Sequence, residues 1–374
     1  MAADIGVRRR MVRVERGPGK SRGDGPAGRG IPGRSYRMTV QTAGRRMRRG
    51  VEIQDRIGSS RKEDTAARAL EGLLGSDKHI SSEFFYDRHG SRIFEEITRL
   101  PEYYLNRTEK ELIAEAGIRF ADGLCGADIV ELGSGDSSKI SIFLGRASRG
   151  ARASARYLPV DIDRSAIERS ARDLKQNYPE LRIYGIAADF SGGLEALPPP
   201  ERRRVFCFFG STLGNLLRPA ALELVRRIAG SMREGDEFLL GLDMVKEKSI
   251  LERAYNDGAG VTRRFNRNIL KVVNALAGTG FDPAKFRHLA FYNKREARIE
   301  MYLEAREQMT VSTPLLKDDI IIREEERIHT ENSHKFTKRH IEEISSYAGL
   351  DIAGIFTDKR KWFSLLWLKK KALK

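Results

Sequence analysis

The residues best suited to chemistry in this sequence gather around a glycine turn, DIVELGSGDSSKIS, Asp128 to Ser141. An apolar run leads into Gly133, Ser134 and Gly135, and hydroxyl residues follow that can open a helix. Glycines at such a turn let the backbone approach a nucleotide-like ligand closely. A dinucleotide fingerprint needs a third glycine, but Asp136, Ser137 and Ser138 follow instead, and no Walker-type lysine is present. The acidic residues suit a different ligand. Glu131 precedes the glycines, Asp161 lies within RYLPVDID, and Asp189 ends AAD ahead of Phe190. This order fits S-adenosylmethionine. Gly133 and Gly135 would admit the methionine part, Asp161 would accept from both ribose hydroxyls, and Asp189 would accept from the adenine amine with Phe190 on the ring. Each feature alone is also ordinary, since glycine turns are common and a strand-end Asp often caps a helix, the role expected for Asp163.

Such residues need a scaffold of parallel strands. IVEL (129–132), RYLPVDID (156–163), RIYGIAADF (182–190), VFCFFG (205–210) and EFLLGLDMV (237–245) are short apolar runs of the kind buried in a parallel sheet. Helical spacing separates them, with Ile167, Ala171, Leu174 and Tyr178 in one segment and Leu222, Val225, Ile228 and Met232 in another. This alternation predicts an α/β doubly wound sheet with ligands at the carboxyl ends of its strands. After Val245 the rhythm changes. Ile299, Met301, Leu303 and Ala305 alternate with Arg298, Glu300, Tyr302 and Glu304, as on a half-buried antiparallel strand within an inserted domain. A helix, TKRHIEEISSYAGL, and a strand, KWFSLLWLKK, close the chain.

The 374 residues carry a net charge of +16, and residues 1–50 hold 14 Lys or Arg against 3 Asp or Glu. Most of the excess therefore sits in a Gly- and Arg-rich stretch without hydrophobic periodicity, which is expected to be a disordered basic tail. A nucleic-acid-binding arm is the alternative for that stretch. No apolar run is long enough to span a bilayer. Two cysteines cannot form a disulfide framework and fit a reducing compartment. The six histidines lack a metal signature such as H-E-x-x-H, so no metal is expected.

Taken together, FFYDRHGSRIFEEITRLPEYYLNRTE, VELGSGDSSK, PVDID, ADF, FFGSTLGNL, AYNDGAGVTRRFNRNIL and HTENSHKF resemble the histidine N-alpha-methyltransferase family, from about Ile57 to the C-terminus. The resemblance implies a class I SAM-dependent methyltransferase, a Rossmann-like doubly wound sheet with an inserted α+β substrate-binding domain. The expected division is a basic tail over 1–54, a substrate-binding domain over 55–107 and 245–335, and a cofactor domain over 108–244 and 336–374, with hinges near 108 and 245. The implied reaction is trimethylation of the amino group of L-histidine to hercynine, the first step of ergothioneine biosynthesis. The implied setting is a cytoplasmic monomer without membrane or nucleic-acid partners.

Residue by residue, the resemblance implies that Gly133 and Lys139 serve the cofactor in the first loop, Asp161 its ribose, and Asp189 with Phe190 its adenine. Tyr103, Asn215 and Tyr255 match positions that hold the substrate's amino and carboxylate groups, and Tyr103 and Asn215 are the expected catalytic pair. Glu331 and Ser333 match the pair that recognises imidazole. Tyr86, Phe94, Gly210, Thr212, Phe265 and Met301 match further pocket positions. The chemistry agrees: Asn215 can both accept and donate, and Glu331 and Ser333, two residues apart on an extended segment, share one side and suit a ring with one N–H and one bare nitrogen. Met301 falls on the apolar face of its strand, a suitable wall for a flat ring. Plainer roles remain open at this stage: hinge packing for Tyr103 and Tyr104, turn shape for Asn215, one more surface charge for Glu331, a solvated helix face for Arg267. Two other functions also remain, a methyltransferase of this fold acting on another amino acid or amine, and an RNA-directed protein using the Arg-rich arm.

Overall fold

The five apolar runs and one unforeseen strand, β1 (Val51–Asp55), lie side by side in parallel, the five being β2 (Asp128–Leu132), β3 (Arg156–Asp161), β4 (Arg182–Ala187), β5 (Arg204–Phe208) and β6 (Glu237–Asp243). The computed structural model describes residues 50–56, 62–190 and 194–371, all within one compact unit, Met47–Lys374. Every residue of β2, β5 and β6 is buried, as strands covered on both faces require.

The insertion follows β6 and carries β7 (Phe286–Asn293), β8 (Arg298–Ala305), β9 (Met309–Val311), β10 (Ile320–Ile322) and β11 (Arg327–His334). β11, β8 and β7 form an antiparallel sheet in that order, and β9 pairs with β10. The chain then returns to the main sheet through β12 (Leu350–Thr357) and β13 (Phe363–Lys370), both joined antiparallel. The main sheet reads β1-β4-β3-β2-β5-β6-β13-β12. Its strand order reverses between β2 and β5, which puts the switch-point crevice at the carboxyl end of β2, where Gly133 begins the loop. This is the expected class I methyltransferase topology.

The helices sort by the surface they cover. α1 (Lys62–Glu71) and α2 (Arg88–Ile97) precede α3 (Tyr104–Phe120), and α4 (Ser138–Gly145), α5 (Arg149–Ser154), α6 (Arg164–Asn177) and α7 (Arg218–Ser231) alternate with the parallel strands. α8 (Lys248–Tyr255) and α9 (Val261–Ala277) belong to the insertion, and α10 (Lys338–Ala348) returns to the main sheet. Asp163 caps α6 as expected, accepting from Ser165 N at 2.8 Å. Apolar side chains of α1, α2, α8, α9 and β8 bury one another in a cluster separate from the two that cover the main sheet.

Two expected boundaries need correction. Residues 51–54, assigned to the tail, are in β1, because Val51 and Ile53 give an alternating strand that pairs with β4 and sets Ile53 against Gly185. The joint expected near 108 falls inside α3, a continuous helix from Tyr104 to Phe120, so the change of direction lies ahead of Tyr104. The rest of the basic tail, residues 1–49, lies outside the described residues. Among the described residues no helix is long and apolar enough to cross a membrane.

Candidate active site

The glycine loop has the geometry that only glycine adopts without strain: Gly133 has φ +63° and Gly135 φ +49°. Gly133 N donates to Val160 O at 2.8 Å, which ties the loop to the end of β3. Asp161 terminates that strand, and its carboxylate accepts from Gly135 N and Asp163 N, each at 2.9 Å. Burial raises the Asp161 carboxyl, and those two backbone donors oppose the rise. A Cβ on Gly133 would stand 3.7 Å from the Phe190 ring, whereas one on Gly135 would meet nothing within 4 Å. The loop is thus closed on the Phe190 side and open at Gly135, a cradle that fits an S-adenosyl group. Asp189 is exposed beside Phe190, whose ring meets Phe208 edge-on at 5.6 Å. Lys139 binds the buried Glu109 at 2.8 Å, and Glu109 also accepts from Gly210 N at 2.6 Å, so the expected cofactor lysine is braced against the end of β5.

Beneath the loop Glu131 is buried with the Tyr157 hydroxyl donating to it. Burial pushes its carboxyl up to about 8, against the stabilising Tyr157 bond and the Lys139 charge.

Across the crevice stands a chain of aromatic rings. Tyr103 meets Phe94 and Tyr255 edge-on, each at 6.2 Å, and Phe94 packs with Tyr86 and Phe265. The Tyr86 phenol is pushed up by burial first, then by Glu331, Tyr103, Tyr255 and Asp161, so this one ring lies within electrostatic reach of both Glu331 and Asp161. Tyr103 is raised by burial, then by Tyr255, Glu331, Asp243 and Glu109, which keeps its phenol protonated.

Glu331 pairs in register with Met301 across β11 and β8, so the two side chains share one face. It is only 8% exposed and has no hydrogen-bond partner among the described residues. Burial pushes it up to about 7, with Lys335 pulling the other way. A solvated surface charge would show none of this. Ser333, next on the same face, lies 2.8 Å from the Tyr255 hydroxyl. Asn215 arrives from the main sheet on the short 3-10 turn Thr212–Asn215, which presses against β11: a Cβ on Gly214 would lie 2.8 Å from His334 O. The turn starts from Ser211, whose φ of +56° is strained for a non-glycine residue and is held by Asp243 N donating to its Oγ at 2.9 Å.

Sequence reasoning missed the buried charges behind this pocket. Asp243, at the end of β6, accepts from both Tyr104 (2.8 Å to Oδ2) and Lys335 (2.9 Å), and also binds Lys246. Tyr104 is therefore part of a polar network and not only hinge packing. Burial alone would raise Asp243, but Lys335 and Lys246 outweigh it and leave the carboxyl below its usual range, while burial pulls Lys246 down to about 8. Lys335 follows directly on β11, two residues after Ser333. Asp243 and Glu109 carried no local signal. Arg267 turns in to donate to Phe286 O instead of facing water. A surface groove of about 660 Å³ bounded by Arg218, Arg339 and His340 lies apart from these groups and shares none of them.

The family described as histidine-specific methyltransferase, SAM-dependent, matches residues 65–370. The histidine N-alpha-methyltransferase of Mycolicibacterium smegmatis is 38% identical over 308 residues, covering 81% of this chain and 95% of that protein. Its namesake from Mycobacterium tuberculosis is also 38% identical, covering 79% and 91%. A 4-dimethylallyltryptophan N-methyltransferase of Claviceps purpurea is 24% identical, covering 81% and 94%.

Proposed function

This chain belongs to the histidine-specific, SAM-dependent methyltransferase family, and from that premise we propose that it trimethylates the α-amino group of L-histidine to hercynine, opening ergothioneine biosynthesis. The observation that carries the reading is Glu331, a buried carboxylate with no described protein partner, beside the hydroxyls of Ser333 and Tyr255. A neutral imidazole supplies one N–H and one bare nitrogen and satisfies both sides.

S-adenosylmethionine supplies a methyl carbon on a sulfonium, already electrophilic and with a good leaving group. The protein's task is then to aim and to shield. Gly133 and Gly135 admit the methionine part, Lys139 braces the first loop, Asp161 receives the ribose hydroxyls, and Asp189 with Phe190 holds the adenine. Tyr103 and Asn215 hold the amino and carboxylate groups of histidine. Tyr255, expected beside them, is hydrogen-bonded to Ser333 and so is assigned here to the imidazole end, and Met301 walls the ring. Tyr103, kept protonated by burial, orients the nitrogen as a phenol and not as a phenolate base, and water takes up the proton that the nitrogen releases after each methyl transfer. The amine arrives neutral, which an α-amino group with a reference pKa of about 8 permits near neutral pH.

Relatives that act on a tryptophan derivative raise the alternative of another amino acid. An indole offers a single N–H and no acceptor, so it would leave the Ser333–Tyr255 pair without a partner and is disfavoured here. We also propose a cytoplasmic monomer whose basic arm is dispensable. Cys125 and Cys207 are both free, which suits a reducing compartment, and removing residues 1–50 leaves β1 intact. The test is mass spectrometry after incubation with S-adenosylmethionine and all twenty amino acids. Histidine alone should gain up to three methyl groups, and methylation of a different amino acid overturns the proposal.

A further inference from the structure

Lys335 stands one residue past β11 with its ammonium fully buried against three partners: it pairs with Asp243 Oδ2 at 2.9 Å and donates to Ser333 Oγ at 2.9 Å and to the Tyr255 hydroxyl at 3.0 Å. An ammonium has three protons and no lone pair, so its capacity is fully spent on these partners. The two hydroxyls also lie 2.8 Å from each other, one donating to the other. Their protons can be counted. Each oxygen accepts from Lys335, which leaves a spare lone pair only on the oxygen that donates in the mutual bond. Of the two O–H protons, one is consumed in the mutual bond. The other has no acceptor among the described residues, on the same strand face as the unpartnered Glu331.

We propose that Lys335 is a positioning residue that commits the Ser333–Tyr255 pair to offering one O–H donor to the ligand, and thereby selects an imidazole with a bare nitrogen. The proposal rests on the histidine reading above and deepens it. A hydroxyl pair without a cation behind it can rotate and present either a donor or a lone pair, so it would accept an imidazolium, with its two N–H groups, as readily as the neutral ring. With Lys335 in place a positive charge stands behind both hydroxyls and takes a lone pair from each, so the pair meets a bare nitrogen better than the N–H of an imidazolium. Asp243 fixes Lys335 in turn. Because Asp243 sits at the end of β6 and Ser333 on β11, the same ion pair also sets the donor's position relative to the main sheet.

The test is a double-mutant cycle on the full chain: wild type, Lys335→Met, Ser333→Ala with Tyr255→Phe, and all three changes together. Methionine leaves Asp243 still bound to Lys246 and Tyr104, so no lone buried charge is created. For each variant, KM and kcat for L-histidine are measured, and the Kd for S-adenosylhomocysteine is taken by calorimetry. Lys335→Met should raise the histidine KM about tenfold, the scale of one charge-assisted hydrogen bond, with the S-adenosylhomocysteine Kd unchanged. In the background lacking both hydroxyls the same substitution should alter KM less than about twofold, because the groups it acts through are gone. An equal effect in both backgrounds, or an equal loss of S-adenosylhomocysteine affinity, overturns the proposal. If Lys335→Met does not fold, Lys335→Gln carries the same cycle. A wild type that leaves histidine unmethylated sinks the histidine reading itself. An active enzyme indifferent to Lys335→Met sinks only the positioning role.

Discussion

The carboxylate of Asp161 accepts the amide of Gly135 at 2.9 Å, so the end of β3 and the glycine loop after β2 are joined through the side chain expected to receive the ribose. One residue thus shapes the loop and presents the acceptor. Its replacement should damage cofactor binding in both ways.

Asp161→Ala is predicted to weaken S-adenosylhomocysteine binding about a hundredfold or more, the scale of two lost hydrogen bonds to a charged group. Calorimetry measures it directly, and unchanged affinity would remove the ribose assignment.

Gly214→Ala places a methyl group 2.8 Å from His334 O, where backbone faces backbone and neither side has a flexible end to move. The Thr212–Asn215 turn must then back away from β11 and carry Asn215 with it. The expected result is a fall of about tenfold or more in kcat/KM for histidine, as for a small misplacement of a positioning group, with cofactor affinity nearly unchanged. Wild-type kinetics in this variant would show that Asn215 only shapes the turn.

Glu131 makes stability depend on pH in a direction opposite to that of a salt-bridged carboxylate. Burial lifts its folded-state pKa to about 8, above the usual 4.5. Between those values the folded state holds a proton that the unfolded chain has released, so this group's contribution to stability is lost as pH rises from about 4.5 to about 8. Glu131→Gln, which carries no titrating proton, should match the wild-type Tm near pH 5 and exceed it near pH 9. A variant less stable than wild type at the higher pH contradicts the assignment.

Much of the main sheet was legible because β2, β5 and β6 are continuous apolar runs ending in Gly or Asp, a pattern that surrounding structure cannot easily override. β1 was not, since VEIQD is short, only half-buried and follows an Arg-rich stretch. β12 escaped for a related reason: Ile352 and Ile355 face outward on an edge strand and give no clean alternation. On β8 the apolar face was legible, but Glu300 and Glu304 on its other face are buried in ion pairs with Arg298, Arg287 and Arg327 and do not face solvent. The site divides in the same way. Gly133, Gly135, Asp161 and Phe190 follow from local turn and strand-end chemistry. Asp243, Lys246 and Glu109 act through partners far away in sequence, and no spacing rule reports a contact such as Tyr104 with Asp243. Lys335 belongs with them, since it lies one residue past β11 and its charged partner Asp243 ends another strand.

The central claim is that a methyl donor and a free imidazole-bearing amino acid share one crevice between Asp161 and Glu331. A crystal structure with S-adenosylhomocysteine and L-histidine tests it most directly. The account predicts ribose oxygens on Asp161, an imidazole N–H on Glu331 within hydrogen-bond distance, and the α-nitrogen turned toward the cofactor sulfur. Histidine bound away from Glu331, or with its amine facing away from the sulfur, would contradict it.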